Sequence, residues 1–230
     1  MARRNLEGLR IVITGASQGI GKALALEAAK RGMNVVAAAR SADLLYDLAS
    51  VAKPGMKGSL ATVVADVTEA SGRSAMLQCA LNNFGGVDVL VNNAGIGATG
   101  HFAEGSAETL RKIMEVNYFG LAETTRVFIS ELKKSSHAAI VNISSIAGKR
   151  GIPARSDYSA SKFAVQGFSN ALRAELAKDN IDVLVVCPGL TQTNFSKNMI
   201  EQKAKMKMDH MRGMTSEEVA VHTLRSIEIG

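Results

Sequence analysis

The sequence predicts an α/β fold in three layers, with a doubly wound parallel sheet between two layers of helices. Apolar runs of strand length alternate with segments of helical periodicity along the 230 residues. The predicted strands are apolar throughout, as expected when helices cover both faces of a parallel sheet. Hydrophobic residues make up 47% of the chain and aromatic residues 4%, so we expect an aliphatic core and one domain spanning residues 1–230.

Charge and the rarer residue types exclude several classes of protein. The net charge of +6 is spread along the chain without a long basic block, so nucleic-acid binding is not expected. No run has the length of a signal-peptide core or a membrane span, and Cys79 and Cys187 are interpreted as reduced thiols. The four histidines lack metal-ligand spacing, so no metal is expected. These features predict a cytoplasmic protein without a membrane anchor.

The first predicted strand, residues 9–14, leads through a glycine-rich turn into a helix that extends to about residue 32. Gly15, Gly19 and Gly21 give this turn the spacing G-x-x-x-G-x-G. A helix N-terminus offers free N–H groups and a partial positive charge, so this arrangement can hold a phosphate. We interpret the turn as a dinucleotide site; the alternative is a glycine-rich turn without a ligand.

The second predicted strand, residues 34–39, is followed directly by Arg40. An acidic residue at the end of this strand binds the adenosine ribose of NAD(H), whereas an arginine nearby accommodates the 2′-phosphate of NADP(H). The sequence therefore favours NADP(H), with NAD(H) as the alternative cofactor. An ordinary solvated arginine is the alternative interpretation of Arg40.

Further strand ends are predicted at the same edge of the sheet. Strand 60–65 ends at Asp66-Val67, and strand 87–91 is closed by Asn92-Asn93-Ala94-Gly95. A sixth strand at residues 181–187 is followed by Pro188-Gly189. Because ligands of such sheets bind at the carboxyl ends of the strands, we expect these segments to lie beside the nucleotide.

Two predicted helices bring polar side chains toward this edge. The helical pattern of residues 107–134 contains Asn117, which is unfavourable in a helix interior and is expected to be either exposed or held for a polar task. Strand 137–143 delivers Ser145 to the strand ends, and the next helix carries Tyr158 and Lys162 four residues apart on one face. At about 5 to 6 Å the ammonium favours the phenolate by about 3 kcal/mol, which predicts a lowered tyrosine pKa although burial opposes the shift.

With these residues in place the chain resembles the short-chain dehydrogenase/reductase family over nearly its whole length. The resemblance implies a Rossmann fold and an enzyme that interconverts a carbonyl and a secondary alcohol. The matching motifs are Thr14-Gly15-x-x-x-Gly19-x-Gly21, Asp66-Val67, Asn92-Asn93-Ala94-Gly95, Asn117, Ser145, Tyr158-x-x-x-Lys162 and Pro188-Gly189.

The resemblance assigns expected roles to four residues. Tyr158 is expected to be the general acid in reduction and the general base in oxidation, while Lys162 lowers its pKa and binds the nicotinamide ribose. Ser145, which matches the family's serine by its spacing to the tyrosine, is expected to polarise the carbonyl. Asn117 matches the asparagine that holds a water in the proton relay. The expected cofactor contacts are Gly15, Ser17, Gln18, Gly19, Ile20, Gly21, Arg40, Asp66, Val67, Asn93, Ala94, Gly95, Tyr158, Lys162, Pro188, Gly189, Thr191 and Thr193.

The sequence stops at Gly230, soon after a helix predicted at residues 215–229, so we expect the sheet to lack the family's seventh strand. That strand forms one of the two subunit contacts usual in the family. The resemblance therefore implies a homodimer through the helices that carry Asn117 and Tyr158, and it leaves a tetramer in question.

Substrate identity depends on weaker features. Residues 190–213 are expected to form a substrate-covering lid, and Lys149, Arg150 and Arg155 are interpreted as a solvated basic loop, with contact to an anionic acyl carrier or coenzyme A as the alternative. The expected function is NADP(H)-dependent interconversion of a lipophilic ketone and a secondary alcohol, by resemblance to hydroxysteroid, retinol and lipid carbonyl reductases. A 3-oxoacyl-[acyl-carrier-protein] reductase and a non-catalytic NADP(H)-sensing or scaffold protein stay open as alternatives.

Overall fold

The computed structural model of the chain describes residues 4–52, 56–204 and 213–230. Its centre is a six-stranded sheet in which all paired strands run parallel, in the order β3-β2-β1-β4-β5-β6. The predicted doubly wound sheet of six strands is therefore confirmed, with ends that differ from the predicted ones by one or two residues. The strands are β1 (Arg10–Thr14), β2 (Asn34–Ala39), β3 (Leu60–Val64), β4 (Val89–Asn92), β5 (Ala139–Ile143) and β6 (Asp182–Val186).

Seven helices of the described residues surround the sheet. One of them, over residues 42–51, was not predicted from the sequence, although Leu45 and Leu48 have helical spacing and are buried. The helices are α1 (Gly19–Lys30), α2 (Ala42–Val51), α3 (Ala70–Phe84), α4 (Ala107–Met114), α5 (Gly120–Leu132), α6 (Ser156–Leu176) and α7 (Ser216–Ile229).

The two faces of the sheet bury two separate hydrophobic clusters. Ile11 and Ile13 of β1 pack on one face with side chains of α1, α2 and α7, whereas Val12 packs on the other face with side chains of α3, α5 and α6. Successive strand residues point to opposite faces, so an apolar strand is buried on both sides. This packing gives the three predicted layers.

The strand order reverses next to β1, which pairs with β2 on one side and with β4 on the other. The chain first winds outward from β1 to β3 and then crosses back to β4 before it continues to β6. At such a switch point the loops after the two central strands separate and leave a crevice at their carboxyl ends. The glycine-rich turn after β1 and Asn93 after β4 therefore lie beside this crevice.

The helix predicted over residues 107–134 is interrupted. A π-helical turn over Glu115–Phe119 joins α4 to α5 and contains Asn117, which is fully buried. A π turn accommodates one extra residue and changes the direction of the side chains within the turn. Continuous apolar periodicity hides such an insertion, so the sequence predicted one regular helix.

The predicted lid segment, residues 190–213, is joined to the rest of the chain by two short parallel ladders. Thr191–Gln192 pairs with Met214–Thr215, and Ala98–Thr99 pairs with Glu201–Gln202. Residues 205–212, and with them Met206, Met208 and Met211, lie outside the described residues. Across the described ranges, no helix combines the length and apolar character needed to cross a membrane.

Candidate active site

A cavity of about 350 Å³ lies at the carboxyl ends of the central strands. It contains every predicted cofactor-binding residue except Gly21, and three of the four predicted catalytic residues, Ser145, Tyr158 and Lys162. The predicted site residues that line it are Gly15, Ser17, Gln18, Gly19, Ile20, Arg40, Asp66, Val67, Asn93, Ala94, Gly95, Ser145, Tyr158, Lys162, Pro188, Gly189, Thr191 and Thr193.

The glycine-rich turn requires its glycines for two reasons. Gly15 and Gly19 have φ values of +64° and +55°, in the left-handed region that side chains disfavour. Gly21 lies behind the cavity, where a Cβ atom would approach the carbonyl oxygen of Gly15 to 2.3 Å and Nδ2 of Asn93 to 2.5 Å. Gly21 therefore permits close packing of the helix on the strand end and is not placed to contact a cofactor itself.

Asn93 fixes the shape of this turn. Its Nδ2 donates to the carbonyl oxygens of Thr14 at 2.9 Å and Gly15 at 3.1 Å. Oγ1 of Thr14 in turn accepts from the backbone N–H groups of Asn93 and Ala94, both at 3.0 Å. These bonds hold the ends of β1 and β4 together, so Asn93 fixes the backbone at the start of the glycine-rich turn.

Ser145, Tyr158 and Lys162 converge at the end of β5. Ser145 follows this strand, and its hydroxyl is hydrogen-bonded to the phenol of Tyr158. Lys162 lies one helical turn after Tyr158 in α6, with its Nζ 5.7 Å from the centre of the tyrosine ring. The same Nζ donates to the carbonyl oxygen of Ile143 at 2.9 Å, which holds the ammonium within the site.

The electrostatics of this pair differ from the prediction. Burial raises the pKa of Tyr158, and the hydrogen bond from Ser145 and the charge of Arg155 oppose this shift only in part. Burial also lowers the pKa of Lys162 to about 8. The predicted lowering of the tyrosine pKa is wrong, because burial of the phenol outweighs the hydrogen bond from Ser145 and the charge of Arg155. The phenol is therefore protonated at neutral pH.

Asn117 lies behind the cavity and does not line it. Its Oδ1 accepts from the backbone N–H of Ile96 at 2.8 Å, and its Nδ2 donates to the carbonyl oxygen of Ile96 at 2.9 Å and to Oγ of Ser161 at 3.0 Å. The side chain thus joins the loop after β4 to α6. Asn117 was expected to be either exposed or held for a polar task. Since its side chain is buried and hydrogen-bonded to all of these partners, the second expectation is correct. Its role in holding a water stays a prediction.

At the other end of the cavity, Arg40 follows β2 and is 65% exposed. Its Nη1 lies 3.7 Å from Oδ2 of Asp66. Burial alone raises the pKa of Asp66, but two hydrogen bonds from Thr68 and the charge of Arg40 outweigh it and hold the pKa below its usual value. The arginine therefore lies at the cavity with its guanidinium accessible, next to an ionised carboxylate.

Two residues beside Tyr158 were not predicted as site residues. The ring of Phe195 lies 5.7 Å from the tyrosine ring, centre to centre, and Arg155 lines the same cavity. Lys149 and Arg150 are exposed as expected. Arg155 is only partly exposed and its Nε is fully buried, so the interpretation as a solvated loop extends to this residue only in part. The position of Arg155 could have been inferred from its spacing to Tyr158. It precedes Tyr158 by three residues, and residues three apart at the start of a helix share a face.

Comparison with known proteins agrees with this geometry. The sequence model of the short chain dehydrogenase family matches residues 10–204. The dehydrogenase/reductase SDR family protein 7-like of Anopheles gambiae is 36% identical over 232 residues, which cover 97% of this chain and 73% of that protein.

Two solved structures are also similar. An alcohol dehydrogenase from Thermococcus sibiricus, complexed with 5-hydroxy-NADP, has a TM-score of 0.86 and 27% identity, covering 96% of this chain and 91% of that chain. A 3-ketoacyl-(acyl-carrier-protein) reductase from Brucella melitensis, complexed with NADH, has a TM-score of 0.86 and 29% identity, covering 95% and 90%.

Proposed function

We propose, from the premise that this chain belongs to the short-chain dehydrogenase family, that it interconverts a lipophilic ketone and a secondary alcohol with NADP(H). The chain is an oxidoreductase that uses a nicotinamide cofactor. The observation that carries the finer proposal is the convergence of Ser145, Tyr158 and Lys162 in the cavity that the glycine-rich turn also lines.

The cavity fits a dinucleotide. It extends from Arg40 and Asp66 past the glycine-rich turn to Tyr158, so one elongated ligand can reach both ends. At the N-terminus of α1 the side chain of Gln18 forms no capping hydrogen bond, which leaves the first N–H groups of the helix able to bind a phosphate. Gly15 and Gly19 keep side chains away from this approach.

In the proposed reduction, a bound reduced nicotinamide would supply the hydride that the carbonyl carbon gains. Tyr158 donates its phenolic proton to the carbonyl oxygen, so that the ketone gains the hydride and the proton and becomes a secondary alcohol. Ser145 stabilises the charge that develops on the oxygen by hydrogen bonding. The positive charge of Lys162 favours the phenolate that remains until the proton is replaced. Oxidation of an alcohol uses the same groups in reverse.

Apolar side chains around the tyrosine support a lipophilic substrate. The ring of Phe195 packs near that of Tyr158, and Ile96, Val116 and Leu190 contribute to the same cavity wall. Burying apolar substrate surface against such a wall contributes about 25 cal/mol per Å². We therefore expect long-chain or polycyclic ketones to be reduced with a lower KM than small hydrophilic ketones.

The central test is Tyr158→Phe, which removes the proton donor and keeps the ring. Turnover of ketones should fall by roughly 10² to 10⁴-fold, the usual contribution of a general acid, while the Kd of NADPH changes by less than about threefold. Tyr46→Phe is the matched control, since that side chain is 77% exposed on α2. A Tyr158→Phe protein that retains wild-type turnover on every ketone of a broad panel would refute the proposed mechanism.

The preference for NADP(H) depends on Arg40. Its accessible guanidinium and the hydroxyl of Ser41, which makes no capping bond to α2, can both receive a 2′-phosphate. Loss of one charge-assisted contact in Arg40→Ala should raise the Kd of NADPH by about tenfold and leave that of NADH within about threefold. Arg126→Ala, an equally exposed arginine of α5, serves as the control. Equal affinity of the wild-type protein for both cofactors would overturn the preference.

Reduction of 3-oxoacyl thioesters is a second candidate, favoured by the similarity to the Brucella melitensis reductase. Rates with acetoacetyl-coenzyme A and with a lipophilic monoketone separate the two, since the thioester should be the better substrate only under the second candidate. A non-catalytic NADP(H)-sensing protein would instead bind the cofactor and turn over neither compound.

The homodimer is part of the proposal. Phe119, in the turn that holds Asn117, and Phe163, on the helix that holds Tyr158, are each nearly half exposed, at 48% and 47%. Apolar side chains on these two elements support their burial against a second copy. Sedimentation equilibrium should give the mass of two chains, and a monomer across the micromolar range would contradict this arrangement.

A further inference from the structure

Arg155 is a half-buried cation without an ion-pair partner among the described residues. Its Nε is fully buried and forms no hydrogen bond, and within residues 4–52, 56–204 and 213–230 its guanidinium takes part in no ion pair. Burial lowers the pKa of this arginine. A desolvated charge without a partner is costly, so a protein retains one mainly where a partner is supplied from outside.

The acidic side chains nearby have other partners. Glu201 forms its ion pair with Lys203, and Asp157 is hydrogen-bonded to Ser156. Neither carboxylate forms an ion pair with Arg155 in the part of the chain that the structure describes. The guanidinium is therefore available to an anion that enters the cavity.

The position of Arg155 is on the substrate side of the tyrosine. It lines the main cavity, and it also lines a small adjoining cavity. The other side chains that line this small cavity include Thr99, Phe102 and the carboxylates of Asp157 and Glu201. None of the described residues of the glycine-rich turn lines that adjoining cavity. An anion bound by Arg155 would thus be separate from the phosphates that the turn is built to hold.

Resting on the proposed function, we infer that the substrate carries an anionic group near its reacting carbonyl and that Arg155 binds this group as a specificity-determining residue. A guanidinium forms two parallel hydrogen bonds with a carboxylate or a phosphate. With the apolar wall formed by Phe195, the site then suits an amphiphile whose charged head lies beside Tyr158 and whose tail lies against the wall.

Matched pairs of ketones that differ in one charge test this inference. The first pair is 3-oxooctanoate and methyl 3-oxooctanoate, and the second is dihydroxyacetone phosphate and dihydroxyacetone. The wild-type protein should show a kcat/KM at least about tenfold higher for the charged member of one pair, since a hydrogen-bonded charge contributes about 1.5 to 3 kcal/mol. The first pair identifies a carboxylate and the second a phosphate.

Arg155→Met should remove this preference by lowering kcat/KM for the charged ketone about tenfold or more while the neutral ketone changes by less than about threefold. Arg155→Lys should restore part of it. Arg150→Met, at an exposed arginine of the same loop, should leave the preference intact. No preference in either pair, or equal losses for charged and neutral ketones in Arg155→Met, would overturn the inference.

A binding measurement separates this inference from the proposed function. Octanoate and octanamide cannot be reduced in this reaction, so their Kd values can be measured whether or not the protein turns over a ketone. Tighter binding of octanoate that is lost in Arg155→Met supports the carboxylate form even if no ketone is reduced. Equal binding of both compounds, with no effect of Arg155→Met and no preference for dihydroxyacetone phosphate, counts against it.

Discussion

The two ends of the central sheet differ in whether their solvent-shielded cations form ion pairs. At the amino ends of the strands, Arg10 donates to both carboxylate oxygens of Asp88, from Nη2 at 2.7 Å and from Nε at 2.8 Å, and Arg4 forms an ion pair with Asp182. At the carboxyl ends, Lys162 and Arg155 form no ion pair with any residue that the structure describes. Both ends contain cations shielded from solvent. Those at the amino ends are paired with carboxylates, whereas these two cations beside Tyr158 are not.

This difference separates stabilising residues from functional ones. Asp88 is 5% exposed, and although burial alone raises its pKa, the hydrogen bonds from Arg10 and Ser135 hold the pKa below its usual value. Such a pair contributes to the free energy of unfolding only while both members are present. An unpaired cation at the other end of the sheet contributes unfavourably, and its retention there is explained by a ligand.

The largest effect is expected from Lys162→Met, at the unpaired end. Turnover should fall at least about 10²-fold, because the variant lacks the charge that favours the phenolate and the group that would bind the cofactor ribose. The free energy of unfolding at pH 7 should not decrease, since a buried charge is removed without leaving a partner charge behind. Steady-state kinetics and urea denaturation measure the two quantities, and a strongly destabilised variant would contradict the contrast between the two ends.

The same variant should change the pH dependence of stability. The pKa of Lys162 is about 8 in the folded protein and 10.5 for an ordinary lysine, so between these values the unfolded chain binds more protons. The contribution of this group to the free energy of unfolding therefore rises with pH from about 8 to 10.5, by up to about 3 kcal/mol. The free energy of unfolding is measured as a function of pH for both proteins, and subtracting the Lys162→Met values from the wild-type values isolates this rise. A difference that does not change with pH would exclude the lowered pKa of Lys162.

A smaller loss of stability is expected from Asp88→Asn, at the paired end. Removing the charge leaves Arg10 partly buried without its partner, and the free energy of unfolding should fall by about 2 kcal/mol, which lowers Tm by about 4 to 8 °C. Turnover should stay within about twofold of wild type. Glu27→Gln, which affects a partly exposed pair with Arg31 on α1, is the control and should cost less than about 0.5 kcal/mol. If Asp88→Asn lowered turnover by more than about twofold, Asp88 would also affect the reaction, and the contrast between the two ends of the sheet would fail.

Features that depend on local spacing could be predicted from the sequence. The Tyr158 and Lys162 side chains meet because α6 is regular, and Ser145 reaches them because it lies two residues after the end of β5. Arg40 lies beside the cavity for the same kind of reason, since it follows the last residue of β2. In each case a strand end or a helical turn fixes the position within a few residues.

Features that depend on tertiary surroundings could not be predicted. The pKa of Tyr158 follows from burial by other elements, including the ring of Phe195, which is distant in sequence. The burial of Arg155 arises in the same way. The pairing of Ala98–Thr99 with Glu201–Gln202 involves two residues from each segment, too few to give a periodic signal.

The π turn over Glu115–Phe119 gives this helix one residue more than regular winding needs. Five π-helical residues turn the chain about as far as four α-helical ones, so deleting one residue there would restore regular winding and leave α4 and α5 nearly in register. Phe128 would stay in the core, whereas Asn117 would lose the local geometry with which it bonds to Ile96 and Ser161 at once. A single codon deletion at this position would therefore disturb the active site while sparing the hydrophobic core.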